Sequence, residues 1–72
     1  MTDAYHIRVR GQLSEDWSDW FAGLRIQPQQ NGETELQGRL DQAALHGVLA
    51  RIRDLNLILL AVNLVEGIDK RS

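Results

Sequence analysis

Four arginines, Arg8, Arg10, Arg25 and Arg39, sit on alternating positions of three segments that read as strands. They do so in a chain that is acidic overall, with 8 Lys+Arg against 10 Asp+Glu and a formal charge of −2. The planar guanidinium fork matches carboxylate and phosphate oxygens. Gathered on one sheet face beside His6, Gln27, Glu35 and Gln37, these residues would hold a small anion or an acidic protein partner. The same pattern also fits a solvated strand face laced with cross-strand Arg–Glu pairs, which requires no ligand.

Other chemistry is sparse. There is no cysteine, so disulfides, iron–sulfur clusters and thiolate zinc sites are excluded. His46 has Gln42 and Ala50 four positions away on either side, so it lacks the second histidine or carboxylate of a helical metal pair. No Ser-His-Asp arrangement stands out, and no glycine-rich phosphate loop follows a strand. Glu15, Asp16 and Asp19 read as a solvated helix start supported by the helix dipole. A chain this short does not enclose a pocket of the usual ~300–1,000 Å³ by itself. An active site would have to form between copies. The expectation is a non-enzyme with no catalytic residue, no metal and no cofactor.

Seventy-two residues make one small domain, and a core of this size rarely supplies more than ~3–5 kcal/mol. With disulfides and metals set aside, self-association is the remaining means of stabilisation. Net negative charge gives no general attraction to nucleic acid or anionic membrane. The N-terminal Met-Thr-Asp-Ala-Tyr-His-Ile lacks the features of a signal peptide, and no apolar run approaches the ~20 residues of a membrane helix. These observations suggest a soluble, cytoplasmic chain with no membrane partner.

Tyr5–Arg10 alternates with the period of a half-buried strand, Tyr5, Ile7 and Val9 inward. Leu13, Trp17, Trp20, Phe21 and Leu24 fall at helical spacing, which predicts a short helix over Ser14–Ala22, capped by Ser14 and ended by Gly23. Residues 24–28 and 34–40 alternate again. A two-residue turn at Asn31-Gly32 would oppose Ile26 to Gln37, a core residue to a surface one. A three-residue loop at Gln30-Asn31-Gly32 opposes Ile26 to Leu36 and is preferred. Pro28, which has no amide donor, suits an edge strand. Leu45, Val48, Leu49, Ile52 and Leu55 give the strongest helix, Asp41–Leu55. Ala43, Gly47 and Ala50 on that helix would seat Trp17 or Trp20. Leu57–Val65 is the last strand.

The order strand, helix, strand, strand, helix, strand predicts an α+β, ferredoxin-like βαββαβ fold: a four-stranded antiparallel sheet in the order 4-1-3-2 with two helices on one face. The competitor keeps irregular chain in place of the first helix. The domain spans 1–66, with a frayed tail at 67–72. RNA binding on such a sheet needs exposed aromatics for stacking. Here Tyr5 points inward and Trp17, Trp20 and Phe21 belong to the first helix, which argues against nucleic acid.

The last strand is apolar on both faces and carries no protective charge or proline. Ile58, Leu60, Val62 and Leu64 are expected to face the helices. Leu57, Leu59, Ala61, Asn63 and Val65 are then the candidate oligomer interface.

Trp17-Ser18-Asp19-Trp20-Phe21-Ala22-Gly23-Leu24 carries a Trp-x-x-Trp-Phe-x-Gly-Leu pattern, followed by the Gly38–Leu55 segment with its Asp-Gln-Ala-Ala-Leu-His-Gly-x-Leu helix. Together they resemble a family of small, uncharacterised bacterial proteins over nearly the whole chain. The resemblance brings no activity, cofactor or site residue. It implies a complete protein rather than a fragment. The leading expectation is a homo-oligomeric interaction module. The alternative is a small-ligand or anion sensor using Arg8, Arg10, Arg25 and Arg39. An enzyme with an interface active site is the third.

Overall fold

A computed structural model describes residues 2–65. The elements are β1 (Asp3–Arg10), a 3-10 helix (Glu15–Phe21), β2 (Arg25–Pro28), β3 (Glu33–Leu40), α1 (Gln42–Asp54) and β4 (Ile58–Val65). The four strands form one sheet in the order β2-β3-β1-β4, with every pairing antiparallel. Counted from β4 this is 4-1-3-2, the order the sequence suggests. Among the described residues the fold is α+β, with one regular α-helix and one 3-10 helix.

Alternation in β1 sends Tyr5, Ile7 and Val9 into the core. Ile26 pairs with Leu36 as the parity argument requires, and Gln29 N–H donates to the Glu33 carbonyl at 2.8 Å across the three-residue loop. Gly32 in that loop has φ +85°, the left-handed conformation a glycine tolerates best. Asn31 Oδ1 accepts from the Glu33 amide at 3.0 Å. Asp41 caps α1, its carboxylate accepting from Ala44 N–H at 2.7 Å. Leu45, Val48 and Ile52 of α1 close over Tyr5, Ile7, Val9, Ile26, Leu36 and Leu40. Phe21 joins the same cluster, so both helical segments cover one face of the sheet.

The first helix departs from expectation. Ser14 caps it, accepting from Asp16 N–H at 3.1 Å, but the turn is 3-10 and only Phe21 is buried. At three residues per turn, i and i+3 eclipse. Trp17 and Trp20 therefore share one ridge, and Ser18 and Phe21 share the next. The apolar stripe that α spacing would gather is split: Phe21 goes inward while Trp17 and Trp20 stay 40% and 37% exposed. Gly47 of α1 does not seat either ring. A Cβ at Gly47 would meet nothing within 4 Å.

β4 brings a second correction. Leu64 and Val62 oppose Tyr5 and Ile7, and Val65, Asn63 and Ala61 oppose Ala4, His6 and Arg8. The register then slips by one: Leu59 opposes Val9 and Ile58 opposes Arg10, leaving Leu60 as the extra residue of a bulge. Directly opposed residues share a face. Ile58, expected inward, therefore lies on the open face, and Leu59, expected on the open face, lies on the core side. Leu57 also leaves the predicted open-face set, because it packs against the core cluster.

Candidate functional site

The open face of the sheet collects His6, Arg8 and Arg10 from β1, Glu33, Glu35, Gln37 and Arg39 from β3, and Arg25 and Gln27 from β2. Antiparallel pairing sets unlike charges across from each other. His6 Nε2 lies 3.1 Å from Glu35 Oε1, and Arg8 Nε lies 3.3 Å from Glu33 Oε1. Gln37 Nε2 donates to Gln27 Oε1 at 3.2 Å. Arg39 donates through Nε and Nη2 to the hydroxyl and carbonyl of Thr2, at 3.3 and 3.2 Å. Such exposed pairs are worth ~0–1 kcal/mol each, but they fix where the guanidinium groups point.

The four arginines do not converge. Arg10 opposes Glu33 and Arg39 opposes Ala4, at the two ends of β3. Six residues of strand separate them, roughly 20 Å. Arg25 and Arg39 do meet. Both line one shallow depression of about 340 Å³ with Ala4, Tyr5, Gln37, Gly38 and Val65. The small side chain of Ala4, between Arg39 and Val65 in its row of the sheet, accounts for the hollow. Arg8 and Arg10 lie outside it.

β4 is the outer strand of the sheet beyond β1. Ile58, Leu59, Val62, Leu64 and Val65 are 37–55% exposed. Val62 and Leu64 turn toward the core side, yet α1 leaves them open, so the strand is apolar above and below. Among the described residues no strand pairs with its outer edge, and Ile58–Val65 carries no charged side chain. Of the predicted interface residues, Ala61, Asn63 and Val65 share the open face. Leu59 lies on the other face, and Leu57 is partly buried.

A third feature escapes α-helical reasoning. The Trp17 and Trp20 rings stack edge to face at 5.3 Å, and the Arg51 guanidinium lies 5.3 Å from the Trp20 ring centre. The i, i+3 spacing of the tryptophans fits an α-helix as well as a 3-10 ridge, so spacing alone does not mark this arrangement. Among the described residues no three His, Cys, Asp or Glu side chains are placed to hold a metal ion, and no helix is long and apolar enough to cross a membrane.

The architecture defines a small α+β domain with a one-sided core and an edge strand that is unpaired on its outer side among the described residues. The chain belongs to the family described as a domain of unknown function, DUF8691, whose model matches residues 4–63. That match runs from Ala4 in β1 to Asn63 in β4 and spans the elements between them. No curated protein and no solved structure matches the chain.

Proposed function

We propose that this chain is a non-enzymatic, homo-oligomeric interaction module of the bacterial cytoplasm, a ferredoxin-like variant whose first helix is shortened to a 3-10 turn. The observation that carries the reading is β4: an edge strand of eight residues with no charge, apolar on both faces, and with five large side chains about half exposed. Fully burying one such side chain contributes ~1.5–3 kcal/mol. Covering the exposed halves of five, on two copies, would contribute about 10 kcal/mol. Association costs ~4–15 kcal/mol. The two terms are of one order, so the assembly expected is weak and concentration-dependent rather than permanently associated. The polar face of the sheet, partly satisfied by the His6–Glu35 and Arg8–Glu33 pairs, has less apolar area to cover than the edge.

Light scattering over a dilution series tests this. A dimer that dissociates on dilution supports it, and a monomer up to about 100 μM overturns it. Leu64→Lys places a charge on the half-exposed core side of the edge and is expected to produce monomer with unchanged far-UV circular dichroism.

The second reading, an anion-sensing domain, is favoured by the depression where Arg25 and Arg39 meet. It narrows the anion-holding set to these two arginines with Gln37. Stabilisation by phosphate in a thermal-shift titration supports it, and no response to any small anion counts against it.

A further inference from the structure

We infer that two copies pair antiparallel through β4 with Asn63 on the two-fold axis, facing Asn63 of the second copy. This rests on the reading of β4 as a self-association edge and specifies its geometry.

Two identical edge strands that pair antiparallel are related by a two-fold axis perpendicular to the sheet, and the interface is self-complementary. Such an axis keeps each residue on its own face. Directly opposed residues share a face, so each residue of β4 can oppose only residues of its own face. Across an antiparallel pair the two residue numbers have a constant sum. In the regular stretch 61–65, Ala61, Asn63 and Val65 lie on one face and Val62 and Leu64 on the other. Face matching therefore requires an even sum, and an even sum makes one residue oppose its own copy.

Three centres lie in the interior of that stretch. Centring on Val62 would set Val65 against Leu59, which the bulge has moved to the other face. Centring on Leu64 would set Asn63 against Val65, a polar side chain against an apolar one. Centring on Asn63 pairs the whole regular stretch with itself: Ala61 with Val65, Val62 with Leu64, Asn63 with Asn63. It also matches the polar groups. Asn63 is the only polar side chain in β4. A carboxamide carries both donors and an acceptor, so it can bond to its own twin. A lone asparagine among apolar positions is an established device for setting register.

The chain has no cysteine, so single substitutions report register directly. Opposed residues in an antiparallel pair have Cα atoms about 4.5–5.5 Å apart, within the ~4.4–6.8 Å a disulfide spans. Asn63→Cys is expected to give mostly disulfide-linked dimer under mild oxidation. Ala61→Cys alone would place its sulfurs on Cα atoms roughly 13 Å apart and remain unlinked, whereas an equimolar mixture of Ala61→Cys with Val65→Cys would link. Asn63→Asp is expected to weaken dimerisation at least tenfold at pH 7, with recovery below about pH 4, where aspartate is protonated. Linkage at Val62→Cys in preference to Asn63→Cys, or a dimer by mass that does not link through Asn63→Cys, overturns the register while leaving the oligomer standing. A monomer at all concentrations overturns the reading of β4 itself.

Discussion

Leu57 fills the space above Gly11: a Cβ built on Gly11 would come within 2.6 Å of Leu57 Cδ2. Gly11 ends β1 with φ +131°, a conformation that side chains rarely adopt. Its amide donates to the Gly32 carbonyl at 2.8 Å, and its carbonyl accepts from the buried Thr34 hydroxyl at 2.6 Å. The residue thus joins the end of β1, the β2–β3 loop and the start of β4 with no room for a side chain. Gly11→Ala is expected to destabilise by about 1–3 kcal/mol through backbone strain and overlap. Leu57→Ala in the same chain should recover the overlap part, so the two effects should be less than additive. Urea denaturation of the two single variants and the double variant measures the difference. Full additivity would mean that the side chains do not compete for the space.

The 3-10 turn makes neighbouring aromatics unequal. Phe21 is fully buried in the core cluster, whereas Trp20 lies across the surface under Arg51. Phe21→Ala should cost about 3–5 kcal/mol, the usual penalty for emptying a core aromatic site. Trp20→Ala should cost roughly 1–2 kcal/mol, and Arg51→Ala no more than about 1 kcal/mol, as an exposed cation–π contact predicts. An α-helix that buried the Trp20 ring as well would raise the tryptophan penalty into the phenylalanine range. Chemical denaturation of the three variants decides the matter.

Strand phase and strand order were legible because each rests on a local signal. Tyr5, Ile7 and Val9 alternate with charged neighbours. Ile26 and Leu36 favour a three-residue loop over a two-residue one, and Pro28 and Gly32 mark an edge and a left-handed turn. The features that were not legible lack such signals. Trp17, Trp20 and Phe21 satisfy α spacing as well as a 3-10 ridge, and packing alone separates them. Leu57–Leu60 are four apolar residues in a row, so no polar neighbour marks the phase, and the bulge that moves Leu59 across the sheet leaves no trace. Alternation put Arg8, Arg10, Arg25 and Arg39 on one face, as found. It carries no information on position along the strands, which is why their separation into two ends emerges only from the register.

Gly47 lies in the middle of α1 with open space where a Cβ would go. Glycine costs ~0.5–1 kcal/mol relative to alanine in a helix interior because it loses more backbone freedom on folding. Gly47→Ala should therefore stabilise the fold by about that amount. For a domain of this size, 1 kcal/mol raises Tm by roughly 4–8 °C, so a gain of about 2–8 °C is expected by calorimetry. A loss of stability would require a contact of the helix with another chain that only glycine admits, and measuring the same variant under monomeric conditions would separate the two.

The arginines make the sharpest contrast between sequence position and place in the fold. Arg25 and Arg39 share the depression over Ala4, Arg8 is tied to Glu33, and Arg10 stands at the far end of the sheet. If the depression takes a phosphate, its stabilising effect at ten times Kd is about 1.4 kcal/mol by mass action, a rise of several degrees in Tm. Arg25→Ala removes one of the two guanidinium groups from the site and should abolish the rise. Arg10→Ala should leave it intact, since that side chain is roughly 20 Å along the strand from Arg39. Phosphate is a general stabiliser through its exclusion from protein surfaces, so an equal concentration of sulfate on the Arg25→Ala variant supplies the baseline. A rise that survives in Arg25→Ala, or that disappears equally in both variants, would show that the anion acts on the surface as a whole rather than at Arg25 and Arg39.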